Sequence, residues 1–363
     1  MIKLKIITKI AGCFKAITFI LRKSSVNMKN TYRILFSFIF ILVVHFPSFS
    51  QTVQDNSSEH EITVFVIPEV SAVNWENPAI LFKSTMKCYF NAALKKNYYV
   101  IGHFITRISS PLLDSTIYVG MNGAVQTEKV ESVLKHRVGF GALGMTMKGR
   151  MEPFNHIKKG LALYGKRNRV AYLKFKVDEN AIKRVIQFLN YYQTKNKLGF
   201  APCEHYNGAL WPGYENEGSG CSAFGMTILD IANLLPEFAK SDWMVNVNVP
   251  MNIIGGEFNQ NKKIKLKTIL KTKSWYNGDG KEGIDFVNYK VFDPGKVFNW
   301  INNKRQQNDS DFIPDDENIY HGVIFNEKYI SPDLSTPVIK QRTDTTFFAR
   351  YFYKFLRNKY EVK

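Results

Sequence analysis

Between residues 170 and 189 the period of the hydrophobic positions changes. Ala171, Leu173, Phe175 and Val177 alternate with Lys174 and Lys176, the pattern of a strand with one solvated face. From there Ile182, Val185, Ile186 and Leu189 recur at helical spacing, with Asp178 placed to cap the helix N-terminus. The same reasoning predicts a strand over 62–67 and a helix over 78–94 opened by Pro78. It predicts a second strand over 98–108, in which Ile101, His103 and Ile105 share a face. Residues 115–119 then form its hairpin neighbour, with Asn122-Gly123 as a turn. Residues 130–168 are glycine-rich and basic and show no clear period. A loop over 200–220 carries Cys203, His205, Trp211, Pro212 and Tyr214. It leads into an apolar helix marked by Phe224, Ile228, Ile231 and Leu235 and stopped at Pro236. Beyond about 245 come a lysine-rich stretch (262–273), a turn at 277–280 and an acidic loop at 309–317. Near the C-terminus Phe348, Phe352 and Phe355 share a helical face, with Arg350, Lys354 and Arg357 elsewhere. Such a face packs on its own domain more often than on a membrane surface, and the former is expected. Strands and helices in this mixed order predict an α+β fold, with a main domain over 60–245 and a smaller region of unassigned fold over 246–363.

At 363 residues and 45% hydrophobic content the chain can bury a sizeable core. Lys29 and Arg33 precede an apolar run over 34–44, and Ser48-Phe49-Ser50 offers small residues for cleavage. Residues 28–50 therefore read as a secretory signal peptide starting at Met28, with 1–27 an upstream start-site artefact and an uncleaved anchor the second choice. The expected location is outside the cytoplasm: periplasm, cell surface or medium. Removing the eight basic residues of the first 51 lowers the formal charge from +18 to +10. An exported protein with that charge is better matched to anionic cell-envelope polymers than to nucleic acid.

Cys13 falls in the leader, so Cys88, Cys203 and Cys221 remain. An odd count in an oxidising compartment leaves at least one thiol unpaired. Two arrangements are open: a Cys88–Cys203 disulfide with Cys221 free, or three unpaired thiols. Cys221 is the chemically suggestive one. It follows Gly218-Ser219-Gly220 and starts the apolar helix, where the positive end of the helix dipole favours thiolate.

A thiol nucleophile needs a base brought to it by the fold. Among the histidines, His103 sits mid-strand beside Gly102, a rigid mount for such a base. The order of Ile101-Gly102-His103-Phe104-Ile105, the strand–helix unit at 170–189 and Gly220-Cys221-Ser222-Ala223-Phe224 resembles the circularly permuted papain-like hydrolases. These are relatives of NlpC-type cell-wall peptidases and of lecithin–retinol acyltransferase, and the resemblance covers roughly residues 60–240. It implies a permuted papain-like domain, with an antiparallel sheet packed on helices. Cys221 would attack an amide or ester carbonyl with His103 as base, and backbone N–H groups of Cys221 and Ser222 would hold the oxyanion. Asn122, Tyr118 and Thr106 are the side chains near the histidine strand that could orient the imidazole, with Asn122 favoured. Trp211 and Tyr214 are candidates for a substrate wall, against the alternative of a loop packed by its own aromatics. The expected substrate is a peptide, amide or ester, cell-wall peptides suiting the location. The competing reading is a non-catalytic envelope binding protein on the same fold.

No cofactor or metal is expected. The cysteines lack zinc spacing. Residues 139–144 are not followed by a phosphate-loop Lys-Ser/Thr, and 277–282 departs from a calcium loop at Lys281 and Glu282. Glu217 and Phe224 stand where a Gly-x-Ser-x-Gly elbow needs glycine.

Overall fold

The computed structural model describes residues 59–95, 97–124, 128–307, 309–325 and 331–361; the calls on 1–27 and 28–50 lie outside them. In chain order the elements are β1 (Glu61–Ile67), α1 (Pro78–Lys95), β2 (His103–Ser109), β3 (Ile117–Val119), β4 (Met121–Gly123) and α2 (Glu128–Leu134). Next come β5 (Met147–Met151), α3 (Phe154–Gly165), β6 (Ala171–Lys176), α4 (Glu179–Gln193), β7 (His205–Tyr206) and α5 (Cys221–Ile231). The remainder is α6 (Ala239–Asp242), β8 (Met244–Pro250), α7 (Leu266–Lys271), β9 (Phe286–Phe292), α8 (Pro294–Gln306), β10 (Phe312–Glu317), β11 (Tyr320–Phe325) and α9 (Phe347–Leu356). The fold is α+β, as expected.

The largest sheet has the strand order β10-β11-β6-β1-β2-β3, and only the β11–β6 pair is parallel. From 62 to 67 β1 is apolar except at the buried Thr63, and the cause is simple: both of its faces are buried. Ile62, Val64 and Val66 enter the main core with residues of α4, α5 and α8, whereas Phe65 and Ile67 pack with Ile157, Leu161 and Tyr164 of α3. The strand β4-β5-β7 set forms a second sheet, and β8 with β9 a third. The chain passes from the first sheet to the second within one residue, since β3 ends at Val119 and β4 starts at Met121.

Several expectations are corrected. β2 begins at His103, because Gly102 takes a φ of +82° that ends any extended run from 98. Ile101 therefore lies outside the strand and is 39% exposed. Asn122 and Gly123 form no turn; they pair with Arg150 and Gly149 across β4 and β5. The acidic stretch is a strand rather than a loop, because its carboxylates meet cations carried by β6 and β2 of the same sheet. Asp315 of β10 accepts from Lys174 Nζ at 2.5 Å, and Glu317 from Arg107 Nη2 at 2.8 Å. Among the described residues beyond 245, β10 and β11 extend the main sheet through β6, and Val297 and Ile301 of α8 join its core. Phe347, Phe348, Ala349, Phe352 and Leu356 of α9 are buried, so its apolar face is spent on packing.

The contact that matters most for the site is α5 on β2. Gly225 of α5 faces Phe104, and a Cβ at 225 would lie 3.3 Å from Phe104 Cβ. Replacing Gly225 by Leu is expected to destabilise the protein by about 1–3 kcal/mol through overpacking, read as a lower midpoint in urea unfolding.

Candidate active site

Gly220 is extended (φ −81°, ψ 168°) and α5 starts at Cys221, so the first-turn N–H groups have no helical partner. The loop that delivers this turn is pinned by a buried ion pair. Glu217 is fully buried and accepts from Arg342 Nε at 2.5 Å and Nη2 at 2.9 Å, from Tyr353 Oη at 2.9 Å and from the Trp211 N–H at 2.9 Å. Gly218 passes so close to the His205 carbonyl that a side chain there would collide with it. Ser219 N–H donates to that carbonyl at 3.2 Å, and Asn207 N–H donates back to the Ser219 carbonyl at 3.3 Å. This pairing brings Tyr206 of β7 beside Cys221.

His103, 2% exposed, opens β2 at the end nearest α5. Its Nε2 lies 2.7 Å from Glu152 Oε2, and its ring stacks on Tyr99 with centroids 4.0 Å apart and planes 8° apart. The imidazole and the Cys221 thiol line the same small cavity and are close enough for each to shift the other's pKa; with Nε2 committed to Glu152, the nitrogen left for sulfur is Nδ1. Glu152 follows β5, its N–H donating to Gly120 O at 2.8 Å. Its other oxygen accepts from Tyr99 Oη at 2.5 Å and pairs with His156 Nδ1 in the first turn of α3. The orienting residue is therefore Glu152 and not Asn122. Asn122 lines a cavity with His103 and Cys221, but the second position on the imidazole is filled by the carboxylate.

The electrostatics follow from this packing. Burial works against a charged His103, but the Glu152 carboxylate and the Cys221 sulfur outweigh it and raise the pKa to about 10. Burial would push the Cys221 thiol up; His103, the Phe104 N–H and the Tyr206 hydroxyl hold it below the ordinary value. Glu152 is likewise buried, and its His and Tyr donors keep it ionised far below the usual carboxylate range. The same contacts that favour the charged imidazole therefore favour the thiolate. The Tyr206 side chain lines both cavities with Cys221, and burial first, then the neighbouring sulfur, hold its hydroxyl protonated.

Two cavities meet at the thiol. One of about 200 Å³ is walled by apolar side chains, among them Trp75, Phe82, Tyr89, Phe140, Tyr289 and Phe292, and reaches Cys221 and Ser222. The other, about 80 Å³, lies on the His103 side and is lined by Tyr98, Asn122 and Lys129. Trp211 and Tyr214 line neither. Trp211 packs on Phe292 at 5.9 Å, and Tyr214 lies under the Arg342 guanidinium at 4.0 Å; both serve the Glu217 loop, which is packed by its own aromatics. The Cys88–Cys203 disulfide does not form. Both thiols are free: Cys88 donates to the Ser71 carbonyl at 2.8 Å, and Cys203 is pushed by burial to about 11. His205 is caged by Phe200, Phe352, Phe355 and Tyr360, and burial lowers it to about 4.

Glu152, Tyr206, Tyr99 and His156 had no part in the expected site. The one local signal was Glu152 and His156 four residues apart around Pro153, a spacing that sets an acid and an imidazole on one helical turn. No family model, curated protein or solved structure matches the chain. Among the described residues no cluster of His, Cys, Asp or Glu is arranged to hold a metal ion, and no helix is long and apolar enough to cross a membrane.

A depressed pKa keeps a thiol ionised as pH falls, so iodoacetamide should label Cys221 at pH values below the ordinary thiol value of ~8.5, ahead of Cys88 and Cys203, whose thiols burial pushes up. His103→Ala leaves burial to dominate and should move the labelling edge of Cys221 above that value. Glu152→Gln should move it in the same direction by less. Peptide mass spectrometry across a pH series reads all three.

Proposed function

We propose that the protein is an exported thiol acyl hydrolase or acyl transferase of the permuted papain-like kind, acting on an ester or amide whose acyl portion is apolar. The observation that carries this reading is Cys221 at a helix N-terminus, sharing a small cavity with a buried His103 that Glu152 holds. A binding scaffold has no use for a thiolate at the mouth of a cavity. The alternative of a non-catalytic binding protein calls for a buried or disulfide-linked thiol, whereas Cys221 is free and half-buried. The leader-like segment over 28–50 supports export.

In the proposed reaction the Cys221 thiolate attacks the carbonyl carbon, forming a C–S bond. Negative charge develops on the carbonyl oxygen, where the Cys221 N–H and the Tyr206 hydroxyl serve as donors, with the Ser222 N–H next in the turn. The C–O or C–N bond breaks as the imidazolium of His103 gives its Nδ1 proton to the leaving group. The acyl thioester is then opened by water, or by an alcohol or amine, whose proton passes to His103. The acid, ester or amide leaves and the thiolate–imidazolium pair is restored. Glu152 keeps the imidazole oriented through both steps without giving up its own charge. The apolar lining suits a hydrocarbon chain better than a polar cell-wall peptide.

Para-nitrophenyl esters of graded chain length test this. Hydrolysis should rise by about fourfold in kcat/KM per added methylene while the chain still fits, from about 0.8 kcal/mol for each CH2 buried. Cys221→Ser should abolish it, and Glu152→Gln should lower kcat about 10²–10⁴-fold. A wild-type rate no higher than that of Cys221→Ser would sink the reading.

A further inference from the structure

Lys129 is an expensive residue where it stands. It lies in the first turn of α2, where the helix dipole disfavours a cation, and its side chain is partly buried. Its ammonium sits over the Tyr206 ring, 5.6 Å from the centroid. Among the described residues no carboxylate approaches it within ion-pair distance. The two acids on the apolar cavity wall are committed elsewhere. Asp293 accepts from Trp75 Nε1 at 2.7 Å and caps α8 through Lys296 N–H at 2.8 Å, while Glu69 accepts from Gly295 N–H at 3.2 Å. Burial and the neighbouring Asp293 raise Glu69 to about 8, so at neutral pH it is mostly uncharged. Burial lowers the Lys129 pKa, and among the described residues the Cys221 sulfur is the charge that opposes this.

Lys129 also lines both cavities, together with Cys221 and Tyr206. A bound acyl compound with its chain in the larger cavity and its carbonyl at the sulfur would place its leaving portion in the smaller one. Asn122 and Lys129 would then be the polar groups facing that portion. We infer that Lys129 is the receptor for a carboxylate on the leaving portion of the substrate, which is therefore an anionic acyl compound of the N-acyl amino acid or acyl-hydroxy acid class. This deepens the thiol acyl hydrolase reading and rests on it for the position of the scissile bond. One cation and a cavity of about 80 Å³ suit a carboxylate beside the bond to be cut. Asn122, which does not orient His103, supplies an amide to the same head group.

The test uses two ligands without a scissile bond, dodecyloxyacetate and its neutral amide, titrated calorimetrically into the protein. Wild type should bind the carboxylate about tenfold or more tightly than the amide, as for a charge-assisted hydrogen bond in a partly desolvated site. Lys129→Met and Lys129→Gln should erase the preference while leaving amide affinity within about twofold, and Lys129→Arg should retain it. Equal affinities in wild type, or a preference that survives Lys129→Met and Lys129→Gln, would overturn the assignment. Turnover of para-nitrophenyl decanoate by the same preparations separates this from the thiol chemistry. A carboxylate preference without turnover leaves the anion receptor standing and removes the hydrolase, and turnover without the preference does the reverse.

Discussion

The site depends on one buried carboxylate. Glu152 is removed from water, a cost of several kcal/mol for an isolated ion, and that cost is offset by three donors converging on it from Tyr99, His103 and His156. No donor can leave without exposing an unpaired charge, so the imidazole is held in position and orientation before any substrate arrives. The carboxylate also joins structure to chemistry. His103 belongs to the six-stranded sheet and Glu152 follows a strand of the three-stranded one, so their hydrogen bond ties the two sheets together. A distortion that separated the sheets would uncouple the base, and loss of the base would loosen the sheets.

The placement of Cys221 at a helix start and of His103 on a strand was legible in the sequence because each carries its signal locally. Gly218-Ser219-Gly220 before an apolar 3.6-residue period marks Cys221 as the first residue of a helix, and an apolar strand beside a glycine marks His103. Glu152 and Tyr206 were not legible, since what makes them functional is strand pairing between segments far apart. Tyr206 reaches the thiol because β7 pairs with β5, and because Gly218 leaves room for the 218–220 segment beside it. Residues 130–168 lacked a period because β5 is short and α3 starts immediately after it. The aromatic Trp211 loop misled for a related reason: aromatics near a nucleophile suggest a substrate wall, yet a buried Glu217 turns them inward to pack. The wall that exists is assembled from α1, α2, β9 and the 139–143 turn, a combination that no single stretch of sequence shows.

The two cavities give the thiol a boundary position. The apolar side excludes water from one half of a bound molecule, and the Asn122 and Lys129 side stays polar. Tyr206 lines both with its ring under the Lys129 ammonium. One aromatic residue thus carries the cation on its ring and stands beside the sulfur, which makes its position more constrained than its modest sequence context suggests.

The Glu217–Arg342 pair has a consequence in time. A chain made from its N-terminus presents His103, Glu152 and Cys221 well before Arg342. Until that guanidinium arrives, Glu217 has no counter-ion with which to enter the interior and stays hydrated. The turn that feeds α5 then lacks its anchor, and the sulfur lacks the setting that makes it a nucleophile. Under the proposed chemistry, the thiol would thus be armed only after the segment carrying Arg342 has been made, more than a hundred residues after Cys221 itself.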